Sequence, residues 1–282
     1  MKFRTDLAVE QIQSDSFSSG VSVTTRGNVF DITEIIISDD SLLESLGKSK
    51  GRYITLESKA LSHYSDEYES MATELAEELR KLIPEGEVLV VGLGNRDITP
   101  DAIGPRIAEK VLATRHLHSE LKDEDAGFLT NLRSVSSVAG GVMGQTGIES
   151  AELISAICSE ITPSAVIAAD ALACSDISRL GTTIQICDSG ISPGSGVSNA
   201  RKELSQAQLG IPVIALGVPT VVDMHTIVRN LTGTDIDKDF PNMLVTPRDI
   251  DRLTERASQL IAFGINLALQ PTLTFSDIQA LF

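Results

Sequence analysis

The sequence predicts an α/β fold: a mostly parallel sheet flanked by helices, with a small β-rich accessory layer near the amino terminus. Three observations predict it. Short runs of apolar, often β-branched residues recur at Val88–Leu93, Ala165–Ala169, Thr182–Cys187 and Pro212–Gly217, and each suits a strand buried on both faces. Between them lie stretches with apolar residues at helical spacing, so strands alternate with helices and right-handed crossovers follow. Ahead of them, VSVTT, VFDITEIII and RYITLES are rich in β-branched residues and are separated by turns at Gly27-Asn28 and Gly47–Gly51, as in a small antiparallel sheet.

In chain order, residues 1–20 carry few large apolar side chains beyond Leu7, Val9 and Ile12, and SDSFSSG is polar, so the amino end is expected to be loosely held. Ser65 to Ile83 puts Met71, Leu75, Leu79 and Leu82 on one helical face and stops at Pro84-Glu85-Gly86. The strand from Val88 opens at Gly92 and Gly94 into a loop with Asn95, Asp97, Thr99 and Asp101, and Ala102–Leu112 is a helix with Pro105 in its first turn. Ser134–Val138 reads as a short strand. AGGVMGQTG, with four glycines in nine residues, is a loop needing unusual backbone angles, and Ile148–Ile161 is a helix. AVIAA is a buried strand with Asp170 at its carboxyl end, and Thr182–Cys187 leads into a second glycine-rich loop, DSGISPGSGVSNARKE. After PVIALG, the VPTVVD stretch enters a helix through Leu231, and residues 232–245 read as an insertion. A long helix starts at Thr246 with Pro247 in first position, and Phe275–Phe282 adds a short one.

Composition removes several function classes. A formal charge of −16 opposes broad binding to nucleic acid or an anionic membrane, which depend on clustered Lys and Arg. No apolar run approaches the roughly 20 residues that span a bilayer, and the first ten residues lack a signal-peptide pattern, so the expected location is cytoplasmic. Cys158, Cys174 and Cys187 lack metal-site spacing and are expected as buried reduced thiols. Gly92, Gly94 and Asp97 do not complete GxGxxG, and nothing matches GxxxxGK[ST]. His116 and His118 are two apart and diverge on a helix, and no Ser sits in a GxSxG elbow. The loop Pro193–Glu203, with Gly194, Gly196, Arg201 and Lys202, could hold an anion, which keeps a non-peptidase small-anion or nucleotide-binding module open as the alternative.

A pair of carboxylates is left to carry chemistry. Open α/β sheets gather their ligands beyond the carboxyl ends of strands, and Asp101 and Asp170 each follow a buried strand. Alone, Asp101 reads as a helix cap. Paired with Asp170, it becomes half of a site. Two close carboxylates can share one proton, one activating water while the other protonates a leaving amine, or they can hold a divalent metal ion. The residues by themselves leave a hydrolase and a small-ligand binder both open.

Along almost its whole length the sequence also resembles a known family. RTDLAVE at Arg4–Glu10, GRYITLE at Gly51–Glu57, VGLGNRDITPDAIGP at Val91–Pro105, TRHL at Thr114–Leu117, GVMGQTGIES at Gly141–Ser150, DALA at Asp170–Ala173, DSGISPGSGVSNARKELS at Asp188–Ser205 and GVPTVVD at Gly217–Asp223 carry the likeness. The family is the germination protease of spore-forming bacteria, an endopeptidase of small acid-soluble spore proteins. The resemblance implies a fold similar to hydrogenase-maturation proteases, a homotetramer, and a location in the forespore and spore core. It implies Asp101 and Asp170 as an atypical aspartic catalytic pair needing no cofactor. A metal-assisted mechanism stays open, because the related maturation proteases add a His at a metal site, although no His here matches it clearly.

The resemblance further implies a self-processing zymogen, cut after an acidic residue and before a hydrophobic residue followed by Ala. Asp6-Leu7-Ala8 fits that order, which sets cleavage between Asp6 and Leu7, a propeptide of residues 1–6, and a single peptidase domain over 7–282 whose β-rich part is about 21–58. A preference for acid before the cut calls for positive charge near the pair, and Arg179, Arg201 and Lys202 are the candidates. The glycine-rich loop around Met143 could offer backbone N–H groups to the peptide or its oxyanion. The expected partners are small acid-soluble spore proteins as substrates and further copies of the chain, with no nucleic acid and no membrane.

Overall fold

The computed structural model describes residues 5–12, 20–39, 47–63, 65–120, 131–192, 202–237 and 240–282. Their strands form one mixed sheet of nine: β1 (Val21–Gly27), β2 (Asp31–Ile37), β3 (Gly51–Glu57), β4 (Val88–Gly92), β5 (Val135–Ala139), β6 (Ala165–Ala173), β7 (Thr183–Cys187), β8 (Val213–Asp223) and β9 (Leu244–Val245). The helices are α1 (Ala8–Gln11), α2 (Tyr68–Arg80), α3 (Ile103–Glu109), α4 (Arg115–Glu120), α5 (Met143–Thr146), α6 (Ser150–Ile161), α7 (Gln206–Leu209), α8 (Met224–Thr232), α9 (Ile250–Leu269) and α10 (Phe275–Gln279). Across the sheet the order is β1-β2-β3-β7-β8-β6-β4-β5, with β9 beside the end of β8.

The α/β expectation is met, and the sheet divides into two halves. β8, β6, β4 and β5 are parallel neighbours, whereas β1, β2, β3, β7 and β8 pair antiparallel in turn. The β-rich amino-terminal part is present as β1–β3, but it extends the same sheet through β3 and β7 instead of lying on it as a second layer. Burial explains this. Tyr53, Ile54, Thr55 and Leu56 of β3 are buried on both faces, which requires an internal strand, while edge strand β1 is mostly exposed.

Each face has its own core. Val88 and Val90 of β4 face the cluster made with Met71, Leu75 and Leu79 of α2, Ile103 and Ile107 of α3, and Leu260 and Phe263 of α9. Leu89 and Val91 face the opposite way, towards Ile154 and Cys158 of α6. That second face is covered by α6 only at the parallel end. Over β3, β7 and β8 the cover is the amino-terminal segment, which packs against Ile35, Ile37, Tyr53, Cys187 and Ala215.

Three sequence expectations are corrected. The amino end is not loosely held over residues 5–12: Leu7 and Ala8 are 0% exposed, because each has an apolar cluster to enter. Most of SDSFSSG lies outside the described residues. Asp170 does not end its strand; β6 runs on to Ala173, paired with β8 beyond the point where β4 has stopped. VPTVVD stays within strand β8, and the expected helix follows it as α8, which Asp223 caps by accepting from the Thr226 N–H. The long helix begins at Ile250 rather than Thr246, since Leu244-Val245 pair with β8 and the Thr246 hydroxyl donates to the Thr220 carbonyl at 2.8 Å, holding that stretch extended. The three cysteines are free and buried, as expected. No helix among the described residues is long and apolar enough to cross a membrane.

Candidate active site

The loop after β4 is built to present Asp101. Gly94 has φ +107°, and a Cβ there would lie 2.2 Å from the Asp101 carbonyl oxygen and 3.1 Å from its Oδ1, so glycine lets the chain pass directly beneath the carboxylate. Asp101 Oδ2 accepts from the Asn95 N–H at 2.7 Å, and Asp101 closes the short turn Thr99–Asp101. The Thr220 hydroxyl donates to the Pro100 carbonyl at 2.7 Å, tying the loop to β8. The Leu93 N–H donates to the Ala169 carbonyl at 2.8 Å, so the loop leaves the sheet beside the residue that precedes Asp170.

Asp170 is buried, at 5% exposure, and its Oδ1 accepts from the Ala171 N–H at 2.8 Å. It belongs to a row of register partners crossing four strands: Asp170 on β6, Gly217 on β8, Gln185 on β7 and Thr55 on β3. Register partners share a face, and alternate strands stand roughly 10 Å apart, so the bare Gly217 leaves a gap between the Asp170 and Gln185 side chains. A Cβ on Gly217 would meet the Asp170 carbonyl oxygen at 2.5 Å. The gap opens into a cavity of about 190 Å³ whose wall includes Asp170, Gln185, Tyr53, Lys48 and Asp6. Asp101 stands on the β4 rim, outside that lining.

The amino-terminal segment is seated in this cavity. The Asp6 N–H donates to the Ala173 carbonyl at 2.9 Å, and its Oδ2 accepts from the Ala173 N–H at 2.8 Å, so Asp6 is bound to the β6 edge that β4 leaves unpaired. Leu7 fills an apolar pocket of Leu172, Cys174 and Val222. Glu10 is held more firmly still. Its carboxylate accepts from the Ser175 N–H at 2.7 Å, the Ser175 hydroxyl at 2.8 Å and the Asp176 N–H at 2.9 Å, with Thr5 as a further donor. Arg179 Nη1 lies 3.6 Å from it, and the Glu10 side chain is 1% exposed.

The other candidate residues are scattered by the fold. Arg179 is in place as a cation, but it faces Glu10, Asp176 and Glu57, the last at 2.9 Å. Lys202 pairs with Glu152 at 2.7 Å, with both side chains exposed. Arg201 and the glycines of its loop lie outside the described residues. Met143 is 49% exposed on α5, and it is Gln145 of that turn that reaches the Asp101 loop, donating to Asn95 Oδ1 at 3.0 Å and Asp97 Oδ2 at 3.1 Å. Among the described residues no three His, Cys, Asp or Glu side chains gather as a metal-binding group. Reading the sequence missed Lys48 and Gln185. Gln185 carried a signal, a lone amide within the apolar run TIQIC, which must find a buried partner.

Comparison with known proteins settles the family. The sequence profile described as Germination protease matches residues 4–237. The germination protease of Clostridium tetani is 39% identical over 99% of both chains. That of Bacillus cytotoxicus is 45% identical over 80% of this chain and 65% of its own. The chain belongs to the germination protease family. As a germination protease it is a hydrolase of peptide bonds in protein substrates. Among solved structures, a [NiFe] hydrogenase maturation protease from Thermococcus kodakarensis aligns with 67% of this chain and 98% of its own, at 19% identity and a TM-score of 0.36.

Proposed function

We propose that this germination protease is a zymogen that cuts itself between Asp6 and Leu7 and then initiates breakdown of small acid-soluble spore proteins, after an acidic residue and before a hydrophobic residue followed by Ala. The observation that carries the reading is the seating of Asp6 in the cavity that contains Asp170, with Leu7 in an apolar pocket and Ala8 against Tyr53 and Cys187. Asp101 and Asp170 share the work on water. One takes its proton as base, and the other, protonated, gives a proton to the leaving amine. The working assembly is a homotetramer in the spore core, for which the exposed Leu231, Phe240, Met243 and Leu244 offer apolar surface.

The test is intact-mass analysis of the purified full chain after acidification and drying, with and without chelator, followed by addition of a small acid-soluble spore protein. Loss of residues 1–6 in both samples, and cleavage of the added protein only by the shortened form, is the expected outcome. Cleavage at another bond refutes the site, and cleavage abolished by chelator refutes the metal-free pair.

The position of Arg179 shifts where charge selectivity is expected. With Glu10 four residues beyond the cut, Arg179 and the Ser175 and Asp176 N–H groups favour an acid at that substrate position. A peptide with Glu there is expected to be cut about tenfold faster than its Gln counterpart, the worth of one charged hydrogen bond, and Arg179→Gln should remove the difference. Equal kcat/KM for the two peptides on the unaltered enzyme would return Arg179 to a purely structural ion pair.

A further inference from the structure

We propose that Lys48 and Gln185 are catalytic residues that polarise the carbonyl of the bond to be cut and hold the oxyanion formed on it. The inference rests on the reading of Asp6-Leu7 as that bond. The carbonyl oxygen of Asp6 accepts from Lys48 Nζ at 2.7 Å and from Gln185 Nε2 at 2.9 Å. Two side-chain donors thus converge on one backbone oxygen at the distances an oxyanion hole uses.

The orientation of Gln185 is fixed by its second contact. Its Oε1 accepts from the Ala8 N–H at 2.6 Å, and a flipped amide would set donor against donor there and acceptor against acceptor at Asp6. The amide therefore clasps the residues on either side of Leu7, while Leu7 itself turns into its pocket. Such a grip holds the Asp6-Leu7 peptide with its carbonyl oxygen towards the donors.

Lys48 is placed at a cost that a surface lysine avoids. Burial lowers its pKa from the ordinary lysine value, with the carboxylates of Asp6 and Glu10 pulling the other way. A donor held out of water interacts more strongly with a charge that develops against it than a solvated one does. The Tyr53 hydroxyl donates to the Ser49 carbonyl at 2.7 Å and pins the stretch that carries Lys48.

The chemistry balances on these groups. Water oxygen bonds to the Asp6 carbonyl carbon, the π pair moves onto the oxygen facing Lys48 and Gln185, and the water proton passes to the aspartate acting as base. Collapse breaks the bond to the Leu7 nitrogen, which takes the proton held by the other aspartate. Negative charge grows on the atom that both donors face, so their hydrogen bonds strengthen in the transition state.

Lys48→Met, Lys48→Arg, Gln185→Leu and Gln185→Glu in the full chain test this, with first-order self-cleavage followed by mass and a peptide of residues 3–12 offered to the processed chain. Lys48→Met and Gln185→Leu should each lower the self-cleavage rate and kcat by about 10²–10³-fold, the loss on removing one oxyanion donor, with KM little changed. Lys48→Arg should recover part of that loss. Gln185→Glu, which sets a carboxylate against the developing charge, should be slower than Gln185→Leu. Thermal melting confirms folding, and if Gln185→Leu fails to fold, the isosteric Glu variant and the Lys48 pair decide. Folded variants that keep pace with the unaltered chain, or raise only KM, overturn the donors alone. An unaltered chain that cuts a different bond, or none, overturns the reading of Asp6-Leu7 and this assignment with it.

Discussion

Asp170→Asn yields a chain that folds and does not cut, its self-cleavage slowed by about 10²–10⁴-fold, the range that a general acid or base supplies. The same result is expected for Asp101→Asn. The fold survives because an amide keeps the acceptor each carboxylate uses: the Ala171 N–H still finds an oxygen at position 170, and the Asn95 N–H still finds one at 101. Asn is also close to Asp in size and shape, so a cooperative melting transition near that of the unaltered chain is the expected result. The chemistry does not survive, since an amide neither accepts a proton from water nor delivers one to a leaving nitrogen. Rates come from intact mass against time, and stability from thermal melts of the same samples. A folded Asn variant that processes itself at the original rate removes that aspartate from the mechanism.

Gly104→Ala is expected to cost about 3 kcal/mol, at the upper end for overpacking, because what the new methyl meets is backbone and cannot turn aside. Its Cβ would stand 2.2 Å from the Leu93 carbonyl oxygen, 2.3 Å from that of Ala169 and 2.7 Å from the Leu93 nitrogen. Helix α3 must back away from the end of β4 and from β6 at Ala169, and Asp101, three residues upstream, moves with it. Activity should fall together with the urea midpoint while the slope of the transition stays constant. Gly144→Ala is the control, since nothing lies within 4 Å of a Cβ there. A Gly104→Ala chain within 1 kcal/mol of the original would show that Leu93 and Ala169 hold α3 less tightly than their geometry implies.

The neighbourhood of both aspartates was legible from the sequence because a buried strand announces itself by an unbroken apolar run: Asp170 directly follows AVIAA, and Asp101 lies in the polar loop that follows VLVVGLG. The exact reach of those strands was not. An apolar run marks a buried strand, and β6 and β8 continue, still buried, through polar residues with specific contacts: Asp170 to the cavity, Thr220 to the Asp101 loop, Asp223 to the cap of α8. Pro219 also reads as a breaker, yet it needs no N–H, and its carbonyl accepts from Gly181 at 2.8 Å. The contacts at Asp6 and Glu10 were beyond any local pattern. Lys48 is 42 positions from Asp6, Gln185 is 179, and Ser175 is 165 from Glu10, so only the closed sheet brings them together.

The proposed cut after Asp6 would leave the pockets of Leu7 and Glu10 in place. Both residues stay covalently joined to the chain that β1 continues at Val21, and their pockets are formed by the enzyme they belong to. An incoming substrate would then compete with a rival carried on the enzyme's own chain, one that dilution does not remove. A processed enzyme of this design would run at a rate set in part by how often its own new amino terminus lets go, and weak substrates would be refused without any contact that discriminates against them.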